Sequence, residues 1–293
     1  MINKPAILLL ATTAAATTAL AEEKRPAAQK MPEVTITDVN LFNDQRAIGE
    51  TGRPEWTTAR RFPTTRVYIQ KEPWQVGAGT WWRYRHKRDG TSISRATAEI
   101  EIGLPHRMQL DLYYDMAIDG SRRSRTEDFA VELRYALADW GKLPLNPTLY
   151  AEYKWVDEGA DVLELKLLLG DQLPGGWHYG ANLVWEKELG GERTTEWQLV
   201  GGVSKTLVDG KFSLGIEGKY VHETTTTSRS EPEHKYHVGP SAQWRITDKF
   251  SVATTALFGL NDDSPRQECW LVLSYDFGRG ADETKYKPVS GRR

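Results

Sequence analysis

The chain has 293 residues, a formal net charge of -2 at pH 7, 27% charged side chains and one cysteine. So even a charge balance gives no basic field for nucleic acid or acidic lipid, and a lone Cys269 excludes an internal disulfide and a cysteine-rich metal or redox centre. Eleven Trp and twelve Tyr against seven Phe favour aromatics with a polar tip, which suit boundaries between apolar and wet surroundings.

The first residues read as a secretory signal peptide over 1–21: Lys4 is the positive flank, Ala6 to Leu10 starts the apolar core, and Ala19-Leu20-Ala21 is a small-x-small cleavage site before Glu22. No cysteine follows the site for a lipid anchor. The rest of the chain has no apolar run of the ~18 residues a transmembrane helix needs, so any membrane crossing is made by strands. Residues 22–70 show no strand period and hold several Pro, Gly and Arg residues. They are expected to form a periplasmic arm or a partial plug, with Arg60 to Gln70, "RRFPTTRVYIQ", as the ordered part; a plain linker is the bland alternative.

From about residue 78 the pattern changes to period two. Met108, Leu110, Leu112, Tyr114 and Met116 alternate with Gln109, Asp111, Tyr113 and Asp115; Phe129, Val131, Leu133, Tyr135 and Leu137 alternate with Asp128, Ala130, Glu132, Arg134 and Ala136. Such alternation means strands with one apolar and one polar face. Twelve strands are predicted, at 78–87, 94–104, 108–117, 127–138, 148–156, 162–170, 177–187, 195–206, 212–222, 235–245, 250–260 and 269–277. In the last, Leu271, Leu273, Tyr275 and Phe277 share the apolar face, opposite Ser274 and Asp276. Pro240 fits a central strand poorly because it removes a ladder hydrogen bond, so a bulge or local break is expected there.

A soluble sandwich and a membrane barrel both use such strands. Aromatics near strand ends favour the barrel: Trp140, Trp177, Phe212, Trp244, Phe250 and Phe277 at one end, and Trp82, Tyr84, Tyr114, Trp155, Trp185, Trp197, Tyr220 and Tyr236 at the other, as two interfacial girdles require. Connections agree, with tight turns such as "PHR", "VDGK" and "ITDK" after the even strands and mostly longer polar loops after the odd ones. The expected fold is therefore all-β, a transmembrane antiparallel β-barrel over 71–277 in the outer membrane of a Gram-negative bacterium, with a periplasmic tail over 278–293. Its closing Tyr275-x-Phe277 suits recognition by the barrel-assembly machinery, and outer-membrane lipid surrounds it.

Three stretches carry a family resemblance: Phe62 to Tyr68, Ile100 to Tyr113 with its "PHR" turn, and Pro147 to Lys154. They resemble outer-membrane β-barrels grouped as porins or transporters, including those under a "MetA-pathway" phenol-degradation label. The resemblance implies a barrel that passes small solutes, with no cofactor and no catalytic motif to transfer.

The polar faces supply the candidate lumen lining: Arg83, Arg85, Lys87, Arg95, Glu99, Glu101, Asp111, Asp115, Asp128, Glu132, Arg134, Glu152, Lys154, Glu164, Lys166, Glu217 and Lys219. A basic wall from the first two strands facing acidic residues orients polar solutes in a channel; a salt-bridged, closed structural barrel is the alternative. A lipid hydrolase is the other class, from His86 with Ser92 or Ser94 at the outer rim, but no orienting Asn or Asp stands at matching phase. His222, His234 and His237 flank the longest loop and read as surface polar residues rather than a metal site.

Overall fold

The computed structural model describes residues 42–118, 124–157 and 159–278. The expected signal peptide 1–21, residues 22–41 and the tail beyond residue 278 lie outside the described residues.

Two short bridges, β1 (Ala47–Ile48) and β2 (Arg53–Pro54), pair with each other. Twelve longer strands follow: β3 (Val76–His86), β4 (Ser92–Leu104), β5 (Met108–Ile118), β6 (Ser124–Ala136), β7 (Thr148–Val156), β8 (Val162–Leu173), β9 (Trp177–Glu188), β10 (Thr195–Val208), β11 (Phe212–Thr224), β12 (Glu233–Arg245), β13 (Phe250–Gly259) and β14 (Gln267–Asp276). Each pairs antiparallel with the next, and β14 pairs with β3, which closes the barrel and removes every edge. The strands coincide with the twelve predicted ones to within about three residues at each end.

The alternation fixes which face points where. Side chains such as Ile216, Leu199, Leu183, Leu149 and Leu271 are exposed on the outside, while Glu132, Arg134, Asp111 and Gln109 are buried inside. A soluble sandwich would bury the first set, whereas here large apolar residues cover the outside of every strand, as a hydrocarbon surround requires. No helix among the described residues is long and apolar enough to cross a membrane. Pro240 is accommodated inside β12: it pairs with Ile216 of β11, but the β12–β13 ladder runs from Val238↔Phe258 to Ser241↔Thr255 and skips the two positions between. Gly239 permits this break, because a Cβ there would lie 1.8 Å from the Ala256 carbonyl oxygen.

Residues 42–75 run inside the barrel, entering and leaving at the end that carries the short turns. Near the entry, Asn43 bonds Asp209 in the β10–β11 turn, and Gln45 Nε2 donates to the Leu173 carbonyl at 2.7 Å. Near the exit, Lys71 pairs with Glu101 at 3.0 Å and with Asp276. Trp56, Phe62, Val67, Tyr68, Ile69 and Ala136 form the buried apolar cluster. The barrel wall is shaped to receive them: Gly170, Gly180 and Gly202 stand directly across from one another on β8, β9 and β10. A Cβ on Gly170 would meet Val67 at 2.3 Å, and one on Gly202 would meet Phe62 at 2.7 Å.

Trp140 departs from the expected girdle. Its ring packs edge-on against Trp56 at 5.9 Å and Tyr68 at 5.3 Å, so it covers the inserted segment rather than facing lipid. Of the other turn-side aromatics, Trp177, Trp244 and Phe277 are exposed on the outside as expected, and Phe212 and Phe250 are half-buried.

Candidate functional site

The inside of the barrel divides into two zones. In the turn-side half, ionic groups of the wall and of the inserted segment neutralise one another. Arg134, fully buried, reaches Asp111 at 2.5 Å and also bonds Glu132. Arg66 lies 2.6 Å from Glu99, Arg60 lies 3.3 Å from the same carboxylate, Arg61 lies 2.7 Å from Asp44, and Arg245 lies 2.9 Å from Glu55. Thr64 donates from its backbone N–H to Glu217 at 2.9 Å and from its hydroxyl at 2.5 Å. Tyr68 donates its hydroxyl to the Ala138 carbonyl at 2.7 Å, and burial pushes its pKa up to about 12. Glu99, Glu101 and Asp111 come together closely enough to suggest a metal cage, yet Arg60, Arg66, Lys71 and Arg134 already supply the positive charge.

The loop-side half holds a cavity of about 800 Å³ whose floor is Arg60, Pro63, Thr64 and Arg66 of the inserted segment. Of the predicted lining residues, Arg83, Arg85, Arg95, Asp115, Asp128, Glu152, Lys154, Glu164, Lys166 and Lys219 border it. Glu99, Glu101, Asp111, Glu132, Arg134 and Glu217 lie instead in the buried zone below. Lys87 is not among the residues bordering the cavity: β3 ends at His86, and Lys87 sits exposed just beyond the strand end. Glu186 and Glu196, which alternation puts on the polar faces but which are not among the candidate lining residues, also border the cavity, as do Glu188, Trp81, Tyr113 and Trp270. The polar phase of β9 and β10 carries the three glutamates, and that phase was the available signal. The same phase places Tyr113 with Asp111 and Asp115, Trp81 with Arg83, and Trp270 with Ser274 and Asp276.

The strand register adds a feature that single strands do not show. Glu101, Asp111, Glu132, Glu152, Glu164, Glu186, Glu196, Glu223 and Glu233 stand each directly across from the next, a continuous carboxylate ladder from β4 to β12. Because barrel strands are tilted, this row climbs as it circles. Its lower members are neutralised as described, and higher up Lys166 lies 3.0 Å from Glu164 and Lys235 2.5 Å from Glu223. Glu186 and Glu196 have no cation within salt-bridge distance among the described residues; Glu196 accepts from the Gln198 amide at 2.7 Å and also meets the Glu223 carboxyl.

Across the cavity stands a different wall. Trp81 packs against Trp270 at 5.7 Å and Tyr113 at 5.8 Å. Arg60 lies 4.1 Å over Trp81, and Arg83 lies 5.1 Å over Trp270. Arg83 and Arg95 are direct cross-strand partners. Arg83 has no carboxylate within salt-bridge distance among the described residues, whereas Arg85 lies 2.8 Å from Glu268 and Arg95 lies 3.5 Å from Asp128.

The two rim constellations are placed as follows. His86 Nδ1 and the Ser92 hydroxyl are 2.9 Å apart, but Tyr84 shares that hydroxyl at 2.9 Å, and no carboxylate orients the imidazole among the described residues. His222 and His234 are cross-strand neighbours, and His234 Nδ1 bonds the Tyr220 hydroxyl at 2.9 Å. His237 is buried three residues on, so it points to the opposite face from His234.

Residues 164–268 match the family described as "Putative MetA-pathway of phenol degradation". No curated protein matches the chain. Among solved structures, a NanC porin superposes with a TM-score of 0.50 at 10% identity, over 70% of this chain and all of that one. The COG4313 outer membrane channel from Pseudomonas putida F1 gives 0.48 at 11% identity, over 72% of this chain and 98% of that one. A KdgM porin in complex with disordered oligogalacturonate gives 0.46 at 8% identity, over 69% of this chain and 99% of that one. The chain is thus a closed twelve-stranded antiparallel transmembrane β-barrel, and part of it, β8 to the start of β14, resembles that family.

Proposed function

We propose that the chain is an outer-membrane channel for small hydrophilic or aromatic solutes, with its turns and termini in the periplasm and its loops outside. The observation that carries this reading is a cavity lined by charged residues and open toward the loops inside a barrel whose exterior is apolar. Residues 42–75 form the floor of that cavity and act as the channel's constriction. Passage involves no chemistry, no cofactor and no nucleic acid, and the barrel-assembly machinery inserts the chain by its closing β14 strand.

Planar-bilayer recording tests this. Full-length protein is expected to give small, discrete openings, and deletion of residues 42–71 is expected to enlarge them several-fold. A barrel that inserts in both forms but conducts in neither is the closed structural barrel, and the channel reading then fails.

A further inference from the structure

In the turn-side half the inserted segment brings cations to Glu99, Glu101 and Asp44, and Glu217 is met by Thr64; in the loop-side half Arg85, Arg95, Lys166 and Lys219 are paired, but a few charges are not. An ion left without a counter-charge or a dedicated hydrogen-bond partner in a confined site costs free energy, so those exceptions call for a reason. Among the described residues Arg83 has no anionic partner within salt-bridge distance, Glu186 and Glu196 have no cationic one, and all three border one cavity. They also lie far apart on it. In a ring of twelve strands the position opposite β3 is six strands away, which is β9; Arg83 is on β3 and Glu186 on β9.

We propose that this cavity binds a linear zwitterion, its carboxylate on Arg83 and its ammonium on the Glu186 and Glu196 wall. The inference rests on the channel reading and names the class of solute that the channel receives. Length follows from geometry. Twelve strands spaced ~4.8 Å apart and tilted ~40° enclose a barrel roughly 24 Å across between backbones, and side-chain reach reduces the gap between opposed charges to about 13 Å. An extended peptide advances ~3.4 Å per residue, so about three to four residues bridge the walls. A free amino acid is too short to engage both. The Arg83 guanidinium can offer planar paired donors that suit a carboxylate, and glutamates accept the three protons of an ammonium group.

Isothermal calorimetry on the full-length barrel in detergent micelles tests the proposal with trialanine, N-acetyl-trialanine and trialanine amide. Trialanine is expected to bind, and removing either terminal charge is expected to weaken binding about tenfold, the value of one charge-assisted hydrogen bond. R83Q and the double variant E186Q/E196Q are each expected to reproduce one of those losses, with R83K restoring part of the first. Heat-modifiable migration confirms that each variant is folded, and E186D serves if E186Q/E196Q is not. Equal affinity for the free and capped peptides overturns the inference, as does sensitivity to one terminus only, or no binding by a folded barrel. Because binding is read without conductance, a barrel that binds trialanine but never opens defeats the channel reading alone, and one that conducts without binding defeats this one alone.

Discussion

Replacing Phe62 by Ala isolates the docking of the inserted segment from the stability of the barrel. Phe62 is fully buried and seats against Gly202, so the substitution removes a ring from a closed contact and leaves the β-ladder untouched. Truncating a buried Phe costs about 3–5 kcal/mol from lost burial plus the cavity left behind. Since the ring's partners belong to the inserted segment and the wall facing it, that cost falls on the docked state, and the undocked fraction rises by roughly two to four powers of ten. Arg60, Arg61 and Arg66 are buried trypsin sites in the docked segment and report the fraction directly. Cleavage at them is expected to accelerate by about a hundredfold or more in F62A while the barrel keeps its heat-modifiable migration, and mean conductance is expected to rise with it. Unchanged cleavage and unchanged conductance would show that this packing does not hold the segment in place.

Three further outcomes follow from the same contacts. G202V puts two methyl groups where Phe62 sits and is expected to mimic F62A in the trypsin assay, while G210A, at an open turn position with positive φ, leaves docking unchanged. R134M strands Asp111 and Glu132 without their guanidinium partner and is expected to lower barrel stability by about 3–5 kcal/mol, read as a shifted urea midpoint in micelles. Tyr68 titrates near 10 when exposed and at about 12 when docked. A raised docked-state pKa means that its contribution to docking is complete below pH 10 and is lost as pH rises through 12. Trypsin-independent protection, measured by hydrogen exchange of residues 42–75, is expected to fall across that window, and Y68F is expected to remove Tyr68's share of the fall.

The barrel was legible because its signal is local and repeated. Period-two alternation assigns each residue a face without reference to any other strand, and even Pro240 is absorbed by omitting two bridges rather than by losing a strand. The interior was legible only to the level of a face. Glu132 and Glu152 look alike in sequence, yet one is sealed beneath the inserted segment and the other borders the cavity. What separates them is the position of residues 42–75, which have no period, and in which arm and plug read alike. Trp140 shows the same limit: a Trp at the end of a strand satisfies an interfacial girdle and a lid over Trp56 equally well, and only the turn conformation decides.

The carboxylate ladder shows why the two halves differ in kind. Like charges directly opposed on neighbouring strands destabilise a sheet by roughly 0.2–1 kcal/mol for each pair, and the ladder contains eight successive pairings from Glu101 to Glu233. Folding alone gives no reason to place carboxylates at every step. Below the floor the cost is offset by Lys71 and Arg134, and there the row behaves as one side of a salt-bridge lattice that anchors the inserted segment. Above it, Glu186 and Glu196 are left to water in a cavity whose far wall is cationic and aromatic. Water weakens their repulsion, so the barrel tolerates them, and a solute that brings its own positive charge gains what the protein has withheld. Neutralising the two by E186Q/E196Q should therefore stabilise the empty barrel slightly while weakening the site. A variant that lost stability instead would place these carboxylates in the structural lattice with Asp111 and Glu132, and would remove the reason for treating the upper half as a binding chamber.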